Sequence, residues 1–408
     1  MKRVAITGRG VVSPLGNNLD ALMAGLAQGK SAVQPQPEWI KYKGLQSRVG
    51  ASVESTDGKD IPRKNRRSMG RLSIFGAQAA KQAVNEAGVA PELLTSKRFG
   101  CVMGSTMGGA EAMNEAFEIM IPKYDLSELS AMSFFKCVSH TVAMNVAQYL
   151  EIKGYVTATS GACASSLQAI GLGYELIRSG RQDAMLCGGA EELHPIVTGT
   201  FDILFAASSR YNDRPSMTPR PFDLERDGLV CGEGAGVLLL EEYEHARKRG
   251  AKIYGEVVGY STCGSGTQVS QSNRESMREC IGDAMTDSGF RPDEVDYISA
   301  HATATQQGDQ AEAEAIRDIF GDKVPVSSLK GYIGHTLGAS GAIELAASLE
   351  MMAGGEIYPT LNLEKIDPLC GGIAHVQKLL RKKINVIVKN CFAFGGINAA
   401  LVCKKTEE

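Results

Sequence analysis

Tyr155-Val-Thr-Ala-Thr-Ser-Gly-Ala-Cys163-Ala-Ser-Ser-Leu-Gln-Ala-Ile170 joins two kinds of local structure across one turn. Tyr155 to Thr159 is aromatic and β-branched, which predicts a strand. Beyond Ala164 the apolar residues Leu167, Ile170, Leu172 and Leu176 recur at helical spacing as far as Gly180. Gly161 and Ala162 are small enough for a sharp turn between the two. Cys163 therefore stands at a strand-to-helix junction. Free N–H groups and the positive end of the helix dipole favour a thiolate at such a place. A small buried cysteine is an equally ordinary occupant, and this stretch alone leaves both readings open.

Outward from that turn, the chain repeats itself. Asn85-Glu-Ala-Gly88-Val-Ala-Pro91-Glu-Leu corresponds to Thr286-Asp-Ser-Gly289-Phe-Arg-Pro292-Asp-Glu, and one interval separates both the glycines and the prolines. Each copy follows an amphipathic helix and precedes a strand, Arg98–Gly104 in one half and Val295–Ala300 in the other. The next strands are Val156–Ser160 and Val324–Ser328, and the last are Ala184–Gly189 and Asn385–Cys391. This pattern predicts two copies of one α/β unit, residues 1–250 and 251–408. The loops after their strands would line a shared crevice. Half one delivers Cys163. Half two delivers His301, Lys330, His335 and the loop Phe392-Ala-Phe-Gly-Gly-Ile-Asn398. His245 instead lies in a charged helix, where a solvated role is expected.

Near the N-terminus, Val4-Ala-Ile-Thr reads as a short strand and Gly8–Gly16 as a loop. The glycine spacing does not fit a dinucleotide fingerprint. Arg63-Lys-Asn-Arg-Arg67 is the densest basic cluster in a chain whose net charge is −3. It is open to reading as a solvated face or as a dock for an acidic partner. Ala131-Met-Ser-Phe-Phe135, with Val142, Met144 and Val146 beyond it, reads as core or as a subunit contact. The overall charge gives no reason to expect nucleic acid or an anionic membrane surface. Ten dispersed cysteines without a C-x-x-C pair argue against structural zinc and disulfides, and fit a reducing cytoplasm. No segment is apolar enough to predict a membrane span or a signal peptide.

Taken together, these motifs resemble the β-ketoacyl-[acyl carrier protein] synthases of thiolase fold. The match includes Ile6-Thr-Gly-Arg-Gly-Val-Val-Ser-Pro-Leu-Gly16, the Cys163 turn, Arg220-Pro-Phe-Asp-Leu-Glu-Arg-Asp-Gly228 and Gly232-Glu-Gly-Ala-Gly236. It continues through His301, Lys330 to His335, and Phe394-Gly-Gly396. The resemblance implies a layered αβαβα sandwich and decarboxylative condensation of an acyl thioester with malonyl-carrier. It makes Cys163 the nucleophile, with His301 and His335 holding the thioester carbonyl. Lys330 orders the cluster, with Glu312 as its carboxylate partner, and Asp309 and Asn398 are supporting residues. Backbone N–H groups of Cys163 and Phe394 form the oxyanion site. Thr303, Thr305, Phe392 and Met107 line the substrate path, Met107 at the depth of the acyl pocket. Arg63, Lys64, Arg66 and Arg67 become the dock for acyl carrier protein. No resident cofactor or metal is implied, since the carrier brings the phosphopantetheine. A homodimer, or a heterodimer with a paralogous subunit, is implied as well.

Three alanines depart from the family glycines: Ala302, Ala304 and Ala393. They would stiffen two loops and point to a specialised synthase, in a polyketide or aryl-polyene pathway. Three alternatives stand beside this reading. A chain-length subunit would lack the nucleophile, which Cys163 supplies. A thiolase would use a second cysteine such as Cys391. A non-catalytic carrier-binding scaffold would not need Cys163, His301, Lys330 and His335 together.

Overall fold

The computed structural model describes residues 1–54 and 56–406. Its main sheet is built from β1 (Val4–Val12), β2 (Phe99–Gly104), β3 (Val156–Thr159), β4 (Ala184–Glu191) and β5 (Gly234–Glu242), followed by β6 (Gly255–Gly264), β7 (Tyr297–Ser299), β8 (Pro325–Ser327), β9 (Val386–Ala393) and β10 (Ile397–Lys404). The principal helices are α1 (Arg71–Ala87), α2 (Ser165–Arg178), α3 (Arg274–Ser288), α4 (Gln306–Phe320) and α5 (Ser340–Gly354).

The first five strands lie in the order β3-β2-β4-β5-β1 and the second five in the order β8-β7-β9-β10-β6. In each set three neighbouring strands are parallel and the other two antiparallel. The sequence repeat is thus a repeat of topology. The sets meet where β1 pairs with β6 through Val4–Val257, Ala5–Glu256 and Ile6–Gly255. A short strand, Ala374–His375, extends the edge beyond β8.

Both faces of each half-sheet are covered, so successive strand residues feed different cores. On β5, Leu238 and Leu240 join the central core, while Val237 and Leu239 join the core under α1. On β10, Leu401 and Cys403 face the centre, while Ala400 and Val402 face the core under α3 and α4. Helices α2 and α5 fill the centre and touch both half-sheets. The layers therefore run α1, sheet, α2 with α5, sheet, α3 with α4. Gly88 and Gly289 close α1 and α3 with φ of 62° and 72°, the left-handed cap that glycine adopts without strain.

One expectation is corrected and one open reading is narrowed. Gly8 and Gly10 lie inside β1, not in a loop. A Cβ at either would fall within 2.1 Å or 1.8 Å of the Ala83 or Ala79 carbonyl oxygen of α1, so they are glycine to let helix and strand approach. Val142 and Val146 are core residues at 1% and 0% exposure, which leaves exposed Phe134 as the apolar surface of that segment.

The turn at Cys163 also has a duplicate. β3 leads through Ala162, at φ 48°, and the 3-10 turn Ala162–Ala164 into α2. In the second half, Leu337, at φ 46°, and the turn Leu337–Ala339 lead into α5. Gly338 stands where the first half has Cys163. Among the described residues no helix is long and apolar enough to cross a membrane.

Candidate active site

The loops after β3, β7 and β8 bring Cys163, His301 and His335 together from distant parts of the chain. The His335 Nε2 atom lies 2.9 Å from the Cys163 Sγ. The two imidazoles meet edge to face, with centroids 5.1 Å apart. One donor atom from each of the three residues lies within 4.8 Å of the others, and all three residues are buried.

Burial, then the Lys330 and Lys389 charges, push His335 well below the usual histidine range. Burial, Lys330, His335 and Lys389 do the same to His301. Both rings are therefore neutral at physiological pH. The same positive field opposes a dication on the Cys-His-His trio. Burial, then neighbouring Cys391, push the Cys163 thiol up, against a downward pull from Lys330. The helix end does not outweigh desolvation. The resting pair is a thiol against a neutral imidazole, which decides the reading of the junction that the sequence left open between a thiolate and a buried thiol.

Lys330 is fully buried, and its partner differs from the expected one. Its Nζ donates to Glu344 Oε1 at 2.8 Å, while Lys389 donates to Glu344 Oε2 at 2.5 Å. Burial pushes Glu344 up, but Lys330 and Lys389 outweigh it and hold it below the usual carboxylate range. Glu312 is already committed. It accepts the His301 N–H at 2.8 Å, the Ala302 N–H at 2.6 Å and the Asn390 side-chain amide at 3.2 Å. Glu312 thus holds the His301 loop instead of pairing with Lys330. Sequence reading missed Glu344 and Lys389. Their signal was a charge flanked by small and apolar residues, Ala342-Ile-Glu-Leu-Ala346 in a helix and Val386-Ile-Val-Lys389 in a strand, the usual mark of a paired buried ion.

Asp309 steadies the same loop by accepting the Ala304 N–H at 3.0 Å and the Phe222 N–H at 2.7 Å. Burial pushes its carboxyl up to about 7, against a downward pull from Arg226. Ala304 sits at φ 72°, where an alanine carries strain of about 1 kcal/mol. Ala393 lies in extended backbone at the end of β9, where a methyl costs nothing.

A narrow cleft reaches this centre, lined by His301, Thr303, Thr305, His335, Phe392, Phe394 and Asn398 among others. The Thr303 and Thr305 hydroxyls lie 3.1 Å apart. Asn398 Nδ2 donates to Ser276 Oγ at 2.9 Å. Phe392 stands 6.4 Å from the His301 ring, and Phe394 packs edge-on against Phe201 at 5.6 Å. Met107 does not line this cleft; it packs, half-buried, on the central core. Arg63, Lys64 and Arg67 are exposed and Arg66 half-buried on or beside the short helix Arg63–Arg66, outside the cleft. Arg66 donates to the Gly58 carbonyl at 3.0 Å. His245 is not merely solvated, because its Nδ1 contacts buried Glu241 at 2.6 Å.

A cysteine at a helix-starting turn, two neutral imidazoles and a buried lysine, on a duplicated five-layer α/β frame, define a condensing enzyme of thiolase fold. The family models for the Beta-ketoacyl synthase N-terminal and C-terminal domains match residues 1–246 and 254–364. The 3-oxoacyl-[acyl-carrier-protein] synthase 1 of Escherichia coli is 35% identical over 410 residues, covering 100% of both chains. A crystal structure of a Beta-ketoacyl synthase from Burkholderia phymatum superposes with TM-score 0.97 at 41% identity, covering 100% of each chain. A type II PKS acyl-carrier protein in complex with its ketosynthase bound to the hexaketide matches with TM-score 0.91 at 31% identity, again over 100% of both chains. The chain belongs to the β-ketoacyl synthase family, and it is an acyltransferase of the condensing type.

Proposed function

We propose that this protein joins an acyl thioester to malonyl-carrier by decarboxylative Claisen condensation, with Cys163 as nucleophile. The observation that carries the reading is the 2.9 Å contact between Cys163 Sγ and a neutral His335 beside His301. The thiol proton passes to His335 Nε2 as Sγ attacks the acyl carbonyl. The carrier thiol leaves with that proton, and the acyl group stays on Cys163. In malonyl-carrier the bond to the carboxylate breaks and CO₂ departs. The electron pair becomes an enolate whose oxygen is held by the N–H of His301 and by His335 in its Nε2–H tautomer, reached when the ring proton moves from Nδ1 to Nε2 after the carrier thiol has left. Its carbon attacks the acyl-cysteine carbonyl, the C–S bond breaks, and the thiolate is released. Backbone N–H groups of Cys163 and Phe394 hold the oxyanion in that step.

Neutral imidazoles suit this chemistry, because they accept a thiol proton in one step and donate to an oxygen in the other. Thr303 and Thr305, in the wall of the cleft, are placed for the amides of a pantetheine arm. The exposed cations at Arg63, Lys64 and Arg67 suit an acidic carrier. The substrate brings its own phosphopantetheine, so no resident cofactor is needed. The ten free cysteines suit a cytoplasmic enzyme, and a two-fold dimer suits the family.

Incubation with acyl-carrier, followed by intact-mass analysis, should show one acyl group on Cys163. Malonyl-carrier should then release CO₂ and give a β-ketoacyl product. An unmodified protein that still binds carrier would favour the non-catalytic scaffold.

A further inference from the structure

We propose that Lys389 is a positioning residue for this reaction: it ties the backbone entering His301 to Glu344 and supplies the second positive charge that the buried site needs for an enolate. The inference rests on the condensing activity proposed above.

Lys389 lies on β9 and is fully buried. Its ammonium makes three contacts: Ser299 O and Ala300 O at 3.3 Å each, and Glu344 Oε2 at 2.5 Å. Ala300 is the residue before His301, so Lys389 grips the strand end from which that imidazole projects. Glu312 grips the same segment from the other side, through the His301 and Ala302 N–H groups. Donors and acceptors on both sides of one short stretch leave the imidazole little room to drift.

The charges around the trio make the second argument. From α5 comes Glu344, from α4 Glu312, from β9 Lys389 and Cys391, and from the turn after β8 Lys330. Burial pushes the Cys391 thiol up to about 11, so it stays neutral. Glu312 is pushed up by burial and pulled back by the Ala302 and His301 N–H groups, and from β4 Glu191, pushed up to about 7 by burial, acts on Cys163; these carboxyls and Glu344 face the two lysines. Glu344 divides its oxygens between Lys330 and Lys389, so Lys330 alone would be neutralised by its partner. Without Lys389 the cluster loses one of the two positive charges that act on His301 and His335. That loss disfavours the enolate and the oxyanion and raises the affinity of both imidazoles for protons. A charge buried this deeply acts at low dielectric, where its effect on neighbours is large.

The test compares the full-length parent with Lys389→Met, Glu344→Gln and the double variant, using malonyl-[acyl carrier protein] as substrate and CO₂ release as readout. Lys389→Met should lower kcat about tenfold or more with little change in KM, and should move the acid limb of the pH profile up by about one unit. Glu344→Gln should move that limb down, and the double variant should return it toward the parent. If Lys389→Met does not fold, the downward shift in Glu344→Gln alone carries the test, and its absence overturns the proposal. A Lys389→Met protein with a lower melting temperature but the parent's kcat and pH profile shows a purely structural lysine and also overturns it. A parent that releases no CO₂ overturns the condensing reading itself, and this inference with it.

Discussion

Gly338→Ala adds one methyl group and changes no polar atom, yet it should disable the enzyme. Gly338 occupies the second-half counterpart of the Cys163 position. A Cβ there would lie 2.9 Å from Glu191 Oε2, 2.9 Å from the Ser105 Cα and 2.9 Å from the Thr106 nitrogen. Each contact is about 0.5 Å shorter than ordinary van der Waals approach in a packed interior. Two of the three obstacles are backbone, so no side-chain rotation relieves them. The third, Glu191, accepts the Thr106 N–H at 2.8 Å and the Gly338 N–H at 3.1 Å, and moving it breaks both bonds. Overpacking at about 1–3 kcal/mol and loss of a buried hydrogen bond at about 1–3 kcal/mol together give a destabilisation of about 2–6 kcal/mol. The softer response is a shift of the Leu337–Ala339 turn, which packs on the Ala162–Ala164 turn and follows His335 by two residues. A relative displacement of about 1 Å between Cys163 and His335 would cost about 100-fold in rate. Thermal melting measures the first effect. Timed acylation of Cys163, read by intact mass, measures the second. A variant with the parent's melting temperature and acylation rate would refute the claim that these paired turns set the catalytic distance.

Cys163→Ala should abolish condensation while malonyl decarboxylation persists, because His301, His335 and both lysines remain; CO₂ release and product formation, assayed separately, check this. The rate of Cys163 acylation should stay level as pH falls from about 7.5 to about 6, since both histidines are held well below their ordinary value of 6.5 and remain neutral there. A half-maximal rate near pH 6.5 would contradict the neutral pair. Reversing Arg66 and Arg67 to glutamate should raise KM for carrier-bound substrate about tenfold or more while sparing a small thioester. Equal loss with both substrates would mean that Arg66, which also bonds Gly58, supports the fold more than the docking.

Much of the frame was legible in the sequence, because backbone preference is local. The apolar period changes from two to three and a half within a few residues of Cys163, and Gly88 and Gly289 mark helix ends whatever surrounds them. The repeat placed Cys163, His301, Lys330 and His335 after strands, and parallel strands bring such loops to one end of a sheet. The strand character of Gly8 and Gly10 was hidden, because those glycines answer to the Ala83 and Ala79 carbonyls of a helix far along the chain.

The electrostatics belong to the tertiary structure alone. Lys330 takes Glu344 and leaves Glu312 to the His301 loop, a choice decided by which carboxylate the packed helices α5 and α4 present. The dipole at Cys163 can be read from the order of strand, turn and helix. The burial that overrides it comes from β9, α5 and the His335 turn closing over the sulfur. Sequence thus determined which groups stand at the ends of which elements. Only the packed chain decided their distances, partners and solvation, because those depend on segments that meet across the fold.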